Sequence, residues 1–113
     1  MMEKNYFYDE FSDRFMISCK KSDEKVVGSV RVLNVTLDFA SNGKIVNVEI
    51  RNISEYLFSL GLNAGVLNDL KNAQLMFKQY RDGYVLYFIL TTAQGNIERI
   101  PFNVPMKQNL VTA

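Results

Sequence analysis

Asn42-Gly43 lies at the middle of an alternating run, Val35-Thr36-Leu37-Asp38-Phe39-Ala40-Ser41-Asn42-Gly43-Lys44-Ile45-Val46-Asn47-Val48-Glu49-Ile50, and no feature constrains the fold more. Asn-Gly is the preferred centre of a two-residue type I′ turn, because both positions need positive φ. Such a turn sets Ser41 opposite Lys44. It then pairs Phe39 with Val46, Leu37 with Val48 and Val35 with Ile50, while Asp38 meets Asn47 and Thr36 meets Glu49. Apolar residues meet apolar ones throughout, which predicts a hairpin with one buried and one polar face.

A chain of 113 residues, 48% hydrophobic and 22% charged, has the length and composition of one globular domain, expected to span residues 1–113. Thirteen basic and twelve acidic side chains leave a net charge of +1, so no global field draws in nucleic acid, an anionic membrane or an acidic substrate. Cys19 is the single cysteine and there is no histidine. That removes disulfide frameworks, the common zinc sites and the Ser-His-Asp and Cys-His nucleophiles. The N-terminus lacks a basic stretch leading into an apolar one, and the longest apolar run, Tyr84 to Leu90, is far short of a membrane span. The expectation is a cytoplasmic protein with no membrane partner.

Tyr6-Phe7-Tyr8 and Arg14 to Cys19 read as strands joined by a turn in which Asp9, Ser12 and Asp13 hydrogen-bond nearby amides. Phe15, Ile17 and Cys19 share a face. Lys20 to Lys25 reads as a solvated loop, and Val26 to Leu33 as a strand with a bulge or bend at Gly28. After Ile50 the apolar period lengthens to that of a helix: Asn52 and Glu55 have the spacing of a capping box, Ile53, Tyr56, Leu57 and Leu60 form the stripe, and Gly61 ends it. Asn63 caps a second short turn carrying Val66, Leu67 and Leu70 inward. Strands return at Gln74–Tyr80, Tyr84–Thr91 and Ile97–Val104, with a two-residue turn expected at Asp82-Gly83 that pairs Tyr80 with Val85 and Phe77 with Phe88. A three-residue loop, Ala93-Gln94-Gly95, sets Ile100 beside Phe88 and Phe102 beside Leu86. Pro101 then belongs on an edge strand and Pro105 at a strand end.

The fold class that follows is α+β: mostly antiparallel sheet, with N-terminal strands over 5–50, one short helical segment over 52–72 packed on the sheet, a three-stranded meander over 74–104 and a loose tail over 106–113. Tyr84 to Leu90 is apolar on both faces, so both sides of the meander need cover. Helices serve one side. The other must meet either a second sheet of this chain or another subunit.

Tyr8-Asp9, Asp13, Phe15-Met16-Ile17, Leu37-Asp38, Gly43-Lys44-Ile45-Val46 and Val48-Glu49-Ile50 together resemble the pattern of the small prokaryotic family known as domain of unknown function 2283. The resemblance covers about Tyr8 to Ser54, leaving the meander as an addition. Asn47 stands where that family often has Gly, and Phe11 is bulkier than its turn usually carries. What the resemblance implies is a compact β-rich domain and no particular reaction.

Asp9, Asp13, Asp38 and Glu49 are the acidic positions within that pattern, and together they are the candidates for a small ligand or a hard divalent cation. Asp38 and Glu49 are diagonal neighbours on the polar face, roughly 7–8 Å apart at the backbone. The structural alternative has Asp9 and Asp13 capping the first turn, with Asp38 and Glu49 solvated or paired with Lys or Arg. Cys19 is in phase with core residues. Lys20, Lys21, Lys25 and Arg31, near Tyr6 and Tyr8, form a basic stretch diluted by Asp23 and Glu24, so nucleic-acid binding ranks low. No arrangement for catalysis and no cofactor is indicated. The reading is a noncatalytic protein acting through protein contacts or self-association, with Met76, Tyr80, Val85, Tyr87 and Ile89 as the contact face and Phe11 as a further anchor unless it folds back onto Tyr6 or Tyr8. The alternative is a small-ligand or divalent-metal module on the acidic sheet face.

Overall fold

The computed structural model describes residues 5–105; the tail expected over 106–113 lies outside them. Five strands, β1 (Tyr6–Asp9), β2 (Arg14–Ser18), β3 (Val26–Val32), β4 (Val35–Ala40) and β5 (Ile45–Arg51), form one antiparallel sheet in the order β1-β2-β5-β4-β3. After helix α1 (Ile53–Ser59) and a 3-10 turn (Ala64–Asn68), β6 (Leu70–Tyr80), β7 (Gly83–Thr92) and β8 (Ile97–Pro105) form a second sheet in the order β6-β7-β8. The mostly antiparallel α+β architecture is the one the alternation predicts.

The central hairpin keeps its expected pairs Val35–Ile50, Thr36–Glu49, Leu37–Val48 and Asp38–Asn47, but not the turn. Asn42 does not take positive φ; Gly43 alone does, at +84°. The loop therefore holds three residues, Ser41-Asn42-Gly43, closed by the Gly43 amide on the Ala40 carbonyl and the Ala40 amide on the Lys44 carbonyl, both 2.9 Å. The odd residue is absorbed as a register shift after Asp38, so Phe39 meets Ile45 rather than Val46. The second hairpin is corrected by two residues. Tyr80 pairs with Gly83 and Phe77 with Leu86, so the turn is Arg81-Asp82. A shift of two preserves every face, and Leu75 and Phe77 still join Leu86, Phe88 and Leu90 on the core side. The third loop is as expected: Gly95 sits at φ +91°, Phe88 meets Ile100 and Leu86 meets Phe102, with Pro101 on edge strand β8.

The two sheets face each other within the chain. Phe15, Ile17, Leu37, Val48 and Ile50 from the first, and Leu86, Phe88, Leu90, Ile100 and Phe102 from the second, form one buried cluster. Phe15 meets Phe88 edge to face, centroids 6.1 Å apart at 88°, a geometry worth about 0.5–1.5 kcal/mol beyond area burial. A sheet, not the helix, thus covers the inner side of the meander. Helix α1 supplies Ile53 and Leu57 to the core and lays Tyr56 against Phe102 of β8, centroids 4.2 Å apart.

Local chemistry explains the ends of α1. The Leu62 amide bonds the Leu57 carbonyl at 2.8 Å and the Gly61 amide the Phe58 carbonyl at 2.9 Å, with Gly61 left-handed at φ +81°, a Schellman stop. Asn63 caps the 3-10 turn by accepting from the Gly65 amide at 2.7 Å. The expected Asn52–Glu55 capping box is absent. Asn52 is itself left-handed at φ 57° and its side chain makes no cap bond. The strand after the helical segment also starts at Leu70, earlier than Gln74, because the 3-10 turn ends by Asn68.

Candidate functional site

The acidic candidates separate into two environments. Asp9 holds the β1–β2 turn: its carboxylate accepts from the Phe11 amide at 3.1 Å and the Ser12 hydroxyl at 2.7 Å, and the Ser12 bond above all keeps its pKa below the ordinary value. Phe11 is thereby turned outward and fully exposed, rather than folded back onto Tyr6 or Tyr8. Asp13, left-handed at φ 56°, reaches a helix forty residues ahead. Its carboxylate accepts from the Ser54 amide (3.2 and 3.3 Å) and the Ser54 hydroxyl (2.6 Å), and its carbonyl accepts from the Ile53 amide at 3.2 Å. It is the cap that Asn52 does not provide. The Tyr8 hydroxyl also donates to Asp13 at 3.0 Å, and burial, then that bond and the adjacent carboxylate charge, push the phenol up to about 12. The sequence signal for this role was only a turn aspartate; its partner is nonlocal.

Asp38 and Glu49 lie together on the outer face of the five-stranded sheet, diagonal to one another by register. Asp38 accepts from the Ser29 hydroxyl at 2.6 Å and the Asn47 amide group at 3.1 Å. Glu49 pairs with Arg14 at 2.9 Å, and Arg14 is steadied in turn by the Ser12 hydroxyl. Both carboxylates border an open depression of about 480 Å³, with Phe7 and Met16 supplying its apolar side. Among the described residues no group of three or more Asp, Glu, Cys or His could hold a metal ion.

Cys19 is half-buried, its thiol within 3.3 Å of the Ile45 carbonyl, and burial raises its pKa. Tyr6 and Tyr8 pack against the core rather than offering rings beside Lys20, Lys21 and Lys25.

The outer face of the three-stranded sheet is built by simple alternation. Met76, Tyr87 and Pro101 form its central row, flanked by Lys78–Val85–Asn103 and Gln74–Ile89–Arg99. Tyr80 extends it at the turn end. Met76 is 56% and Tyr80 50% exposed, while Val85, Tyr87 and Ile89 on the central strand are half-buried. Five of the six interface candidates therefore share one surface; Phe11, on the β1–β2 turn, stands apart. A depression of about 330 Å³ lies over Tyr87, edged by Met76, Lys78, Ile89 and Arg99.

No helix among the described residues is long and apolar enough to cross a membrane. No curated protein and no solved structure matches the chain. A family model does match, over residues 5–54, described as a protein of unknown function (DUF2283). The matched stretch runs from β1 to Ser54, the residue that Asp13 holds, and contains the whole five-stranded sheet. The resemblance to domain of unknown function 2283 carried by Tyr8-Asp9, Asp13, Leu37-Asp38, Gly43 and Glu49-Ile50 thus holds over residues 5–54, and the three-stranded sheet lies beyond it.

Proposed function

We propose that this is a noncatalytic protein of the cytoplasm that works through protein contacts made by the outer face of the three-stranded sheet. The observation that carries the reading is that Met76, Tyr80, Val85, Tyr87 and Ile89 gather on one face, the side of β6 and β7 turned away from the core. Apolar side chains gathered on one exposed sheet face, rather than scattered singly, are characteristic of contact surfaces. A lone half-buried cysteine, unable to form an internal disulfide, is compatible with a reducing compartment.

The test compares proteins captured from the source cell by the tagged wild-type chain and by a Tyr87→Ser/Ile89→Ser variant that retains the wild-type circular dichroism spectrum. A partner, or a second copy of the chain, that is retained by wild type and lost by the variant supports the reading. Identical captures overturn it. A second reading, a small-ligand or divalent-ion site on the five-stranded sheet, is favoured by the depression shared by Asp38 and Glu49. Magnesium, calcium or manganese at millimolar concentration should then raise the melting temperature; no shift ends the ion form of that reading.

A further inference from the structure

The charge on the contact face restricts what can cover it. By alternation the outward positions of β6, β7 and β8 carry Lys78 and Arg99 and no Asp or Glu. Glu98 pairs across from Leu90 and so belongs to the opposite side, and Asp82 is in the turn beyond the last row. Neither Lys78 nor Arg99 forms an ion pair among the described residues, whereas Arg14 on β2 and Lys44 just before β5 do.

Their placement is diagonal. Lys78 shares a row with Val85 and Arg99 with Ile89, so the two cations lie on the outer strands, four residues apart along β7, with Tyr87 midway. Strand spacing and rise place their backbones about 17 Å apart. Both edge the depression over Tyr87.

A second copy fits this face poorly, since stacking two such faces brings four unpaired cations around one apolar centre with no carboxylate to meet them. We propose instead that the face docks an acidic amphipathic helix from a partner protein, with apolar residues over Met76, Tyr87 and Ile89 and carboxylates meeting Lys78 and Arg99. The dimensions agree: carboxylates at i and i+11 of a helix are about 16.5 Å apart, and i+4 and i+7 between them share their face. This inference rests on the contact face proposed above and names the chemistry of its partner.

Three 18-residue helical peptides test it, sharing one leucine pair at i+4 and i+7 and carrying Glu, Gln or Lys at i and i+11. Fluorescence anisotropy at low and at moderate salt should show wild type preferring the Glu peptide, with the preference shrinking as salt rises. A Lys78→Glu/Arg99→Glu variant should bind that peptide about tenfold more weakly and now prefer the Lys peptide. Such a swap cannot come from misfolding. Equal binding of all three peptides, absence of binding by the Glu peptide, or self-association of the wild-type chain through this face in light scattering each overturns the acidic helix. The capture comparison with Tyr87→Ser/Ile89→Ser separately decides whether the face makes contacts at all.

Discussion

Asp13 offers the sharpest test of how the chain is held together. Replacing it with Ala removes the cap on the Ser54 amide, the bond to the Ser54 hydroxyl and the acceptor of the Tyr8 hydroxyl. A lost cap costs about 1 kcal/mol. Each of the two stranded hydroxyls adds roughly 1 kcal/mol. The sum is about 3 kcal/mol, and at roughly 4 °C per kcal/mol for a domain of this size the melting temperature should fall by about 12 °C. Asp13→Asn keeps an acceptor and tolerates the left-handed backbone, so its loss should be near 1 kcal/mol. Asp13→Gly separates two causes, because it relieves φ 56° yet loses every side-chain bond; it too should fall well below wild type. Urea unfolding with tryptophan-free far-ultraviolet detection gives the three values. A Gly variant as stable as wild type, or an Ala variant within about 0.5 kcal/mol of it, refutes the reasoning.

The same contact has a pH signature. The Tyr8 pKa is raised in the folded state from 10.0 to about 12, so the stability tied to its protonated form is complete below about pH 10 and is lost as pH climbs through 12. Ring-selective NMR of Tyr8 should show a lower pKa in Asp13→Ala. An unmoved titration would leave burial as the sole cause.

Leu33, at φ 56° in the β3–β4 turn and 79% exposed, holds a backbone conformation that suits glycine, so Leu33→Gly should stabilise by about 1 kcal/mol, read from the urea midpoint; a destabilised variant would show that its side chain packs. Gly43→Ala should cost about 1 kcal/mol through φ +84° alone, since nothing lies within 4 Å of the added carbon, whereas Gly28→Ala, equally uncrowded and not at positive φ, should be neutral or slightly stabilising. Equal effects at the two glycines would argue against the three-residue turn. Phe88→Ala, removing a ring 1% exposed between Phe15 and Phe102, should cost about 3–5 kcal/mol and leave little folded protein at 37 °C by circular dichroism.

Side-chain alternation was legible because a sheet face is a local property of the chain. Phe15, Ile17, Leu37, Val48 and Ile50 take their buried positions by alternation, which holds whether the Asn42-Gly43 turn has two residues or three. Turn length was less so. Asn42-Gly43 satisfies two turn types, and the one adopted puts positive φ on the glycine only. At Arg81-Asp82 the loop position differs by two residues while the parity is unchanged, so Met76, Tyr80, Val85, Tyr87 and Ile89 share one face in either pairing. Contacts across the chain left no local trace: the Asn5 amide group on the Ala73 carbonyl at 3.0 Å, the Tyr6 hydroxyl on the Leu70 carbonyl at 2.9 Å, and the Asp13 cap on Ser54. For the candidate site, the residues of each outer face could be read from parity, but partners on strands outside the hairpin could not. Asn47 beside Asp38 follows from the central hairpin's own pairing, whereas Arg14 for Glu49 and Ser29 for Asp38 needed the strand order.

The stacking of the two sheets has a consequence in mass-action terms. Residues 5–54 alone would present Phe15, Ile17, Leu37, Val48 and Ile50 to water, and any cover supplied by a separate molecule would come and go with its concentration. Here the cover is tethered through α1 and the 3-10 turn, so its effective concentration is fixed by chain connectivity and does not fall on dilution. The folded sandwich should therefore persist at nanomolar protein, where an assembly of separate sheets would fall apart.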